Sequence, residues 1–269
     1  MAQADRPLDA AGAGDAYAQP APRLLYVHDD LSDDVGGRFG ADSRPAALLR
    51  SLYALLADGS SRVQILTVAE QVRLVTSRRA HVPYDLALGV GMAGERAAQA
   101  LHRETGWFPR VRRIGLTREE DGRGDYRLVS TVSASLPEQL DGVETARSLA
   151  IVDDTVFSGL TMRTVLEALS PALRARTHAF CLRGVADSIA QIARLCPVSA
   201  GVMAPGRILE DVSFINASGL VLRVGIRRQG RPPLAFFDRP DWIRAWFPGR
   251  ADQVIALCRQ LNALLEATV

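Results

Sequence analysis

The sequence predicts an α/β fold, a parallel sheet with helices on both faces. Short unbroken apolar runs, Leu86 to Val90, Leu149 to Val152 and Thr177 to Leu182, read as strands buried on both faces. The first two runs each lead into a glycine-bearing turn and then an apolar stripe at helical spacing. Strand, turn and helix recur in that order, the pattern of crossover connections.

Taken in order, residues 1 to 22 are rich in Ala, Gly, Pro and Asp without periodicity and are expected to be a mobile leader. Residues 23–269 are expected to form one domain with its core at about 84–204. Leu24 to Val27 is a strand candidate with His28-Asp29-Asp30 at its end. That cluster could face a ligand or a metal, since ligands gather beyond the carboxyl ends of parallel strands. Its neighbours Asp33, Gly36 and Gly37 equally suit a solvated acidic loop. Ser43 opens a helix with Leu49, Leu52, Tyr53 and Leu56 on one face and Gly59 as its stop. Val63 to Leu66 reads as a short strand and 68–79 as helical.

After the strand ending at Val90, the turn Val90, Gly91, Met92, Ala93, Gly94 and Glu95 precedes an Ala-rich helix stopped by Gly106. It reads either as a glycine-rich anion loop or as a plain tight turn. Gly89, Gly91 and Gly94 match the dinucleotide-binding spacing, but no acid ends a strand about 20 residues further on. Val111 to Leu116 is a strand candidate flanked by Arg110, Arg112 and Arg113. Residues 117–127 are polar and glycine-punctuated, a long flexible loop. Its Arg118, Arg123 and Arg127 either meet a ligand or pair with Glu119, Glu120, Asp121 and Asp125.

The stretch from Ser148 to Thr161 carries the most chemistry. An apolar strand ends in Asp153-Asp154, followed by Thr155-Val156-Phe157-Ser158-Gly159-Leu160-Thr161. A helix follows with Met162, Val165, Leu166 and Leu169 on one face, stopped at Ser170-Pro171. A helix N-terminus presents free N–H groups and a partial positive charge to an anion. Two carboxylates beside it would repel phosphate, so they suit sugar hydroxyls, a divalent cation or a developing positive charge. Beyond it, Ile189 to Cys196 reads as a helix, and Ser199 to Ala204 and Gly219 to Ile226 as strands. Gly230 to Pro233 is a breaker. The aromatics Phe236, Phe237, Trp242, Trp246 and Phe247 could stack on a planar ligand or, more commonly, pack a core.

The run from Leu149 to Thr161 resembles the phosphoribosyl-pyrophosphate (PRPP) signature of the type I phosphoribosyltransferases. The resemblance implies a phosphoribosyltransferase-like core, with a hood or subdomain built from the flanks 23–83 and 205–269. It implies a Mg²⁺-dependent pentosyltransferase that moves 5-phosphoribosyl from PRPP to a nitrogenous acceptor. Asp153 and Asp154 would hold the ribose hydroxyls directly or through the metal shell. Thr155, Phe157, Ser158, Gly159, Leu160 and Thr161 would bind the 5′-phosphate. Val90 to Glu95 would take pyrophosphate, and the 117–127 loop would close. The family commonly forms dimers. Phe157 stands where the family usually has Thr, Ser, Ala or Asp, which argues against a hypoxanthine- or guanine-type proton transfer. The alternative is a regulator on the same fold that binds PRPP or a nucleotide without turnover.

Composition narrows the classes. No apolar run approaches the 18 or so residues of a membrane span, and no signal peptide pattern opens the chain, so a cytoplasmic protein is expected. All 32 basic residues are Arg, which excludes lysine chemistry and suggests a GC-rich, bacterial genome. The net charge of +2 gives no nucleic-acid footprint. Cys181, Cys196 and Cys258 have no metal-like spacing and read as buried free thiols.

Overall fold

The structure is a computed structural model that describes residues 24–57, 62–78, 80–120 and 126–267. The expected leader, the Gly59 stop and Arg123 lie outside the described residues. The chain opens with β1 (Leu24–Asp29), α1 (Ser32–Phe39), α2 (Arg44–Ala57), β2 (Val63–Thr67) and α3 (Val68–Thr76). Its middle runs β3 (Leu86–Val90), α4 (Gly91–Thr105), β4 (Val111–Ile114), β5 (Leu116–Glu120), β6 (Tyr126–Ser130) and α5 (Leu136–Gln139). Then come β7 (Leu149–Val156), α6 (Leu160–Glu167), α7 (Pro171–Arg174), β8 (Thr177–Val185), α8 (Ala186–Ile192) and β9 (Val198–Ala204). The last part is β10 (Val212–Asn216), α9 (Ala217–Val221), β11 (Ile226–Arg228), β12 (Arg231–Leu234), α10 (Pro240–Trp246) and α11 (Ala251–Glu266).

Five parallel strands form the central sheet in the order β4-β3-β7-β8-β9. Successive side chains of a strand point to opposite faces. Leu149 and Ile151 therefore join Met162, Val165, Leu166, Ile189 and Ile192 beneath α6 and α8. Ala150 and Val152 join Val72, Val75, Ala97 and Leu101 beneath α3 and α4. Both faces being covered is why the run had to be apolar throughout. Each large side chain so buried contributes roughly 1.5–3 kcal/mol. From β3 the chain turns outward through α4 to β4, whereas from β7 it turns the other way through α6 to β8. The reversal lies between β3 and β7, which pair with Gly89 opposite Val152.

The two flanks of the chain fold together. β10-β1-β2 form a second parallel sheet. Leu25, Val27, Leu52, Phe237, Trp242, Trp246, Phe247, Val254 and Leu261 fill its core with α2, α10 and α11. The C-terminal aromatics thus pack a core, and Trp242 and Trp246 are buried there. A third sheet, β12-β11-β5-β6, joins the middle of the chain to its end.

Several expectations are corrected. The arms of the 117–127 segment are strands, because Glu119 pairs across β5-β6 with Arg127 and β5 also pairs with β11. Gly115 divides the expected strand 111–116 into β4 and β5. Residues 219–226 are not one strand. Leu220 and Val221 are buried in α9, and a Cβ on Gly225 would stand 2.6 Å from the Gly219 carbonyl oxygen, so the backbone doubles back there. A strand that periodicity left unread precedes it, the five-residue β10; a short apolar run does not distinguish strand from helix. Asp33, Gly36 and Gly37 lie in α1, not in an acidic loop, and Gly91 to Glu95 form the first turn of α4 instead of a loop. Cys196 lies just past α8, and all three cysteines are free and buried.

Candidate functional site

β7 continues past its apolar letters through Asp153 and Asp154 to Val156. Gly159 then turns the chain into α6 with φ +71°, a left-handed conformation that costs a residue bearing a Cβ about 1–2 kcal/mol. Ser158 is exposed, and its Oγ accepts from Leu160 N–H at 3.4 Å. Leu160 and Thr161 open the helix, both half-buried. Phe157 does not cover this turn. Its ring packs edge-on against Phe214 at 5.7 Å, which in turn stacks on Tyr26, whereas Gly159 packs against Ile192.

Across the strand reversal, Val90 precedes α4 and Gly91 has φ +61°. The other two glycines are there for packing. A Cβ on Gly94 would stand 2.5 Å from the Val152 carbonyl oxygen, and one on Gly89 would strike the Glu95 backbone. Close helix–strand approach, with the turn at Gly91, thus accounts for the glycine spacing. Met92 is exposed and Ala93 half-buried. Glu95 pairs with Arg113 at 3.6 Å. α4 and α6 start at the carboxyl ends of the neighbouring strands β3 and β7, on either side of the strand reversal, the place where open α/β sheets take ligands.

The two acids are unequal. Asp153 is buried and accepts from the Asp154 backbone N–H at 2.9 Å. Burial, reinforced by the neighbouring Asp154, pushes its carboxyl well above the ordinary range, so it favours the protonated form. Burial alone would raise Asp154 too, but the Arg183 guanidinium and Asn216 outweigh it and hold that carboxyl below its ordinary value. Three donors converge on Asp154 Oδ2: Arg183 Nη2 at 3.1 Å, Asn216 Nδ2 at 3.2 Å and Thr155 Oγ1 at 3.1 Å. Arg183 is entirely buried on β8; it also donates to Asn216 Oδ1 at 2.6 Å and to Gln71 Oε1 at 3.1 Å.

The His28-Asp29-Asp30 cluster divides among three tasks. His28 Nδ1 accepts from Gln71 Nε2 at 2.6 Å, which links β1 to the Arg183–Asp154 pair. Burial and then Arg183 push its pKa down to about 3, so the ring is neutral. Asp29 takes the Tyr53 hydroxyl at 2.6 Å and the Ser32 N–H at 2.9 Å, which fixes the start of α1. Asp30 accepts from the backbone N–H and hydroxyl of Ser218, and burial raises its pKa.

Of the loop arginines, Arg118 lies over the Phe157 ring at 5.1 Å and is close enough to favour the charged form of Asp153. Arg127 is paired with Glu119 at 2.9 Å. The expected Mg²⁺ does not fit a cage built by the protein. Among the described residues no three His, Cys, Asp or Glu side chains gather to hold a metal, and Asp154 Oδ2 is already held by three donors. Gln71, Arg183 and Asn216 were missed in the sequence. A lone Arg in the apolar run Phe180-Cys181-Leu182-Arg183 was the one signal available, since an arginine in a buried strand requires a partner. A cavity lined by His81, Tyr84, Ser148 and His178 opens at the amino ends of the strands, opposite the acid pair.

No family model matches the chain, and no curated protein matches it in sequence. Solved structures similar in outline include a purine phosphoribosyltransferase from Pyrococcus horikoshii, at 14% identity and a TM-score of 0.31 over 71% of this chain and 92% of that one. The xanthine-guanine-hypoxanthine phosphoribosyltransferase of Helicobacter pylori is 17% identical, with a TM-score of 0.33 over 55% of this chain and 86% of that one. A hypothetical protein from Neisseria gonorrhoeae with bound ppGpp is 18% identical, with a TM-score of 0.40 over 55% of this chain and 82% of that one. The likeness is of fold alone.

Proposed function

We propose that this protein transfers the 5-phosphoribosyl group from PRPP to a nitrogenous, heterocyclic acceptor and releases pyrophosphate. One observation carries the reading: an acid pair and two helix N-termini, those of α4 and α6, meet at the strand reversal between β3 and β7. In the reaction the bond from the anomeric carbon to pyrophosphate breaks, a bond to the acceptor nitrogen forms, and the acceptor's proton leaves to solvent. The amides of Gly159 to Thr161 and the Ser158 and Thr161 hydroxyls hold the 5′-phosphate, and those of Gly91 to Ala93 hold pyrophosphate. The fixed charge of Asp154 stabilises the ring as positive charge develops on it, and Asp153 hydrogen-bonds a ribose hydroxyl. Arg118 supplies a cation to the departing phosphates. The setting is a cytoplasmic protein, as a monomer or homodimer, acting on small molecules.

A second reading, a PRPP or nucleotide sensor without turnover, is favoured by Arg183, which already neutralises one of the two acids. Pyrophosphate release on mixing with PRPP and a panel of purines, pyrimidines and other heterocycles separates the two. Release with any of them supports transfer. Saturable PRPP binding by calorimetry without release supports the sensor.

A further inference from the structure

An arginine with no exposed surface, set in the middle layer of a parallel sheet, is an expensive residue. Replacing a buried ion pair by well-packed apolar side chains is often neutral or stabilising, so stability alone does not explain its presence. Its geometry does offer an explanation. Arg183 stands on β8 opposite Thr155 of β7, one residue beyond the acid pair. Its Nη2 bonds both Asp154 Oδ2 and Asn216 Oδ1, and Asn216 returns a bond to the same Asp154 oxygen. Its Nη1 bonds Gln71, which α3 supplies and His28 of β1 backs. The guanidinium is a planar fork whose bonds fix direction as well as charge. With three donors on one oxygen, the Asp154 carboxylate has no freedom to rotate, and its side chain is only 13% exposed.

We infer that Arg183 is the positioning residue of the acid pair, and that Gln71 and Asn216 anchor it, so that the flank strands β1 and β10 set the orientation of Asp154. The inference rests on the reading of Asp153-Asp154 as the pair that faces the sugar. It assigns the flank sheet a part in the chemistry of the central sheet: a change at Asn216, on β10, is felt at the end of β7.

The test compares Arg183→Lys, Arg183→Met and Asn216→Ala with the parent protein, each checked for folding by circular dichroism and thermal melting. Steady-state kinetics with PRPP and carboxylate ¹³C NMR titration of Asp154 are the readouts. Asn216→Ala is expected to fold, to lower kcat about tenfold or more with a smaller change in KM, and to raise the Asp154 titration midpoint, as loss of a supporting hydrogen bond does elsewhere. Arg183→Lys should keep the charge, lose the fork and recover only part of the rate. If Arg183→Met fails to fold, Asn216→Ala decides. Parent-like kcat and an unmoved Asp154 titration in Asn216→Ala would overturn the inference. Should the parent show no turnover with PRPP, the proposed reaction fails, and the NMR titration alone still shows whether Arg183 and Asn216 hold Asp154.

Discussion

Gln71 Nε2 lies 2.6 Å from His28 Nδ1, and because an amide nitrogen can only donate, the ring must accept there and carry its proton on Nε2. Folding therefore excludes the imidazolium. The folded pKa of about 3 lies below the ordinary value of 6.5, so this stabilisation is present above pH 6.5 and is lost as the pH falls toward 3. Over that window the loss should approach a few kcal/mol by linkage. Asp154, also held low by Arg183, loses stability in the same direction. Urea midpoints from pH 7 to pH 3.5 in the parent and in His28→Asn separate the two. The variant should show the flatter profile; identical slopes would exclude His28 as a source.

The acid pair should respond unequally to amide substitution. Asp154→Asn leaves the buried Arg183 without its counter-ion and is expected to cost about 3–5 kcal/mol. Asp153→Asn replaces a carboxyl that already favours its proton and should cost under about 1 kcal/mol. Both should lower PRPP turnover by about a hundredfold or more. Chemical denaturation at pH 7 with parallel kinetics makes the comparison, and equal destabilisation would count against the assigned charges.

Gly94 and Gly91 should fail in different ways. A Cβ at Gly94 meets the Val152 carbonyl at 2.5 Å and pushes α4 off β7, an overpacking cost of about 1–3 kcal/mol or more. Gly91→Ala meets the Leu116 carbonyl oxygen at only 3.3 Å, and its cost of about 1–2 kcal/mol comes from φ +61°. Thermal melts of the two variants, with PRPP affinity by calorimetry, should show the larger stability loss in Gly94→Ala.

Arg118 and Arg127 lie on facing strands, yet it is Arg118 that is near enough to Asp153 to act on its charge. Arg118→Ala is expected to raise the KM for PRPP about tenfold, the effect of losing one charge-assisted contact. Arg127→Ala removes an ion pair with Glu119 whose arginine is half exposed, worth about 0–1 kcal/mol, and should leave kinetics within about twofold. Equal effects would remove Arg118 from the site.

The free protein should not take up Mg²⁺ by itself. With Asp154 held by three donors, calorimetric titration of the free chain with MgCl₂ should give no saturable binding below about 1 mM. A stoichiometric site in that range would show that Asp154 is not bound as the structure has it.

The sequence by itself determined the strands and the turns of the central sheet. An apolar run, a glycine that must be left-handed and a helical stripe are local patterns, legible because period and backbone sterics act over a few residues. It also gave the acid pair and its position at a strand end. What it did not show was the company those acids keep. Gln71 and Arg183 are 112 residues apart and Asn216 lies 62 beyond Asp154; such contacts form only when separate strands are laid side by side and leave no period in the chain. The same holds for the hairpin arms at Glu119 and Arg127, whose polar letters read as a loop until β11 provided an edge to pair with. Local sterics are written in neighbouring letters, whereas the electrostatics of a buried charge are settled by whichever distant groups the folded sheets bring within hydrogen-bond range.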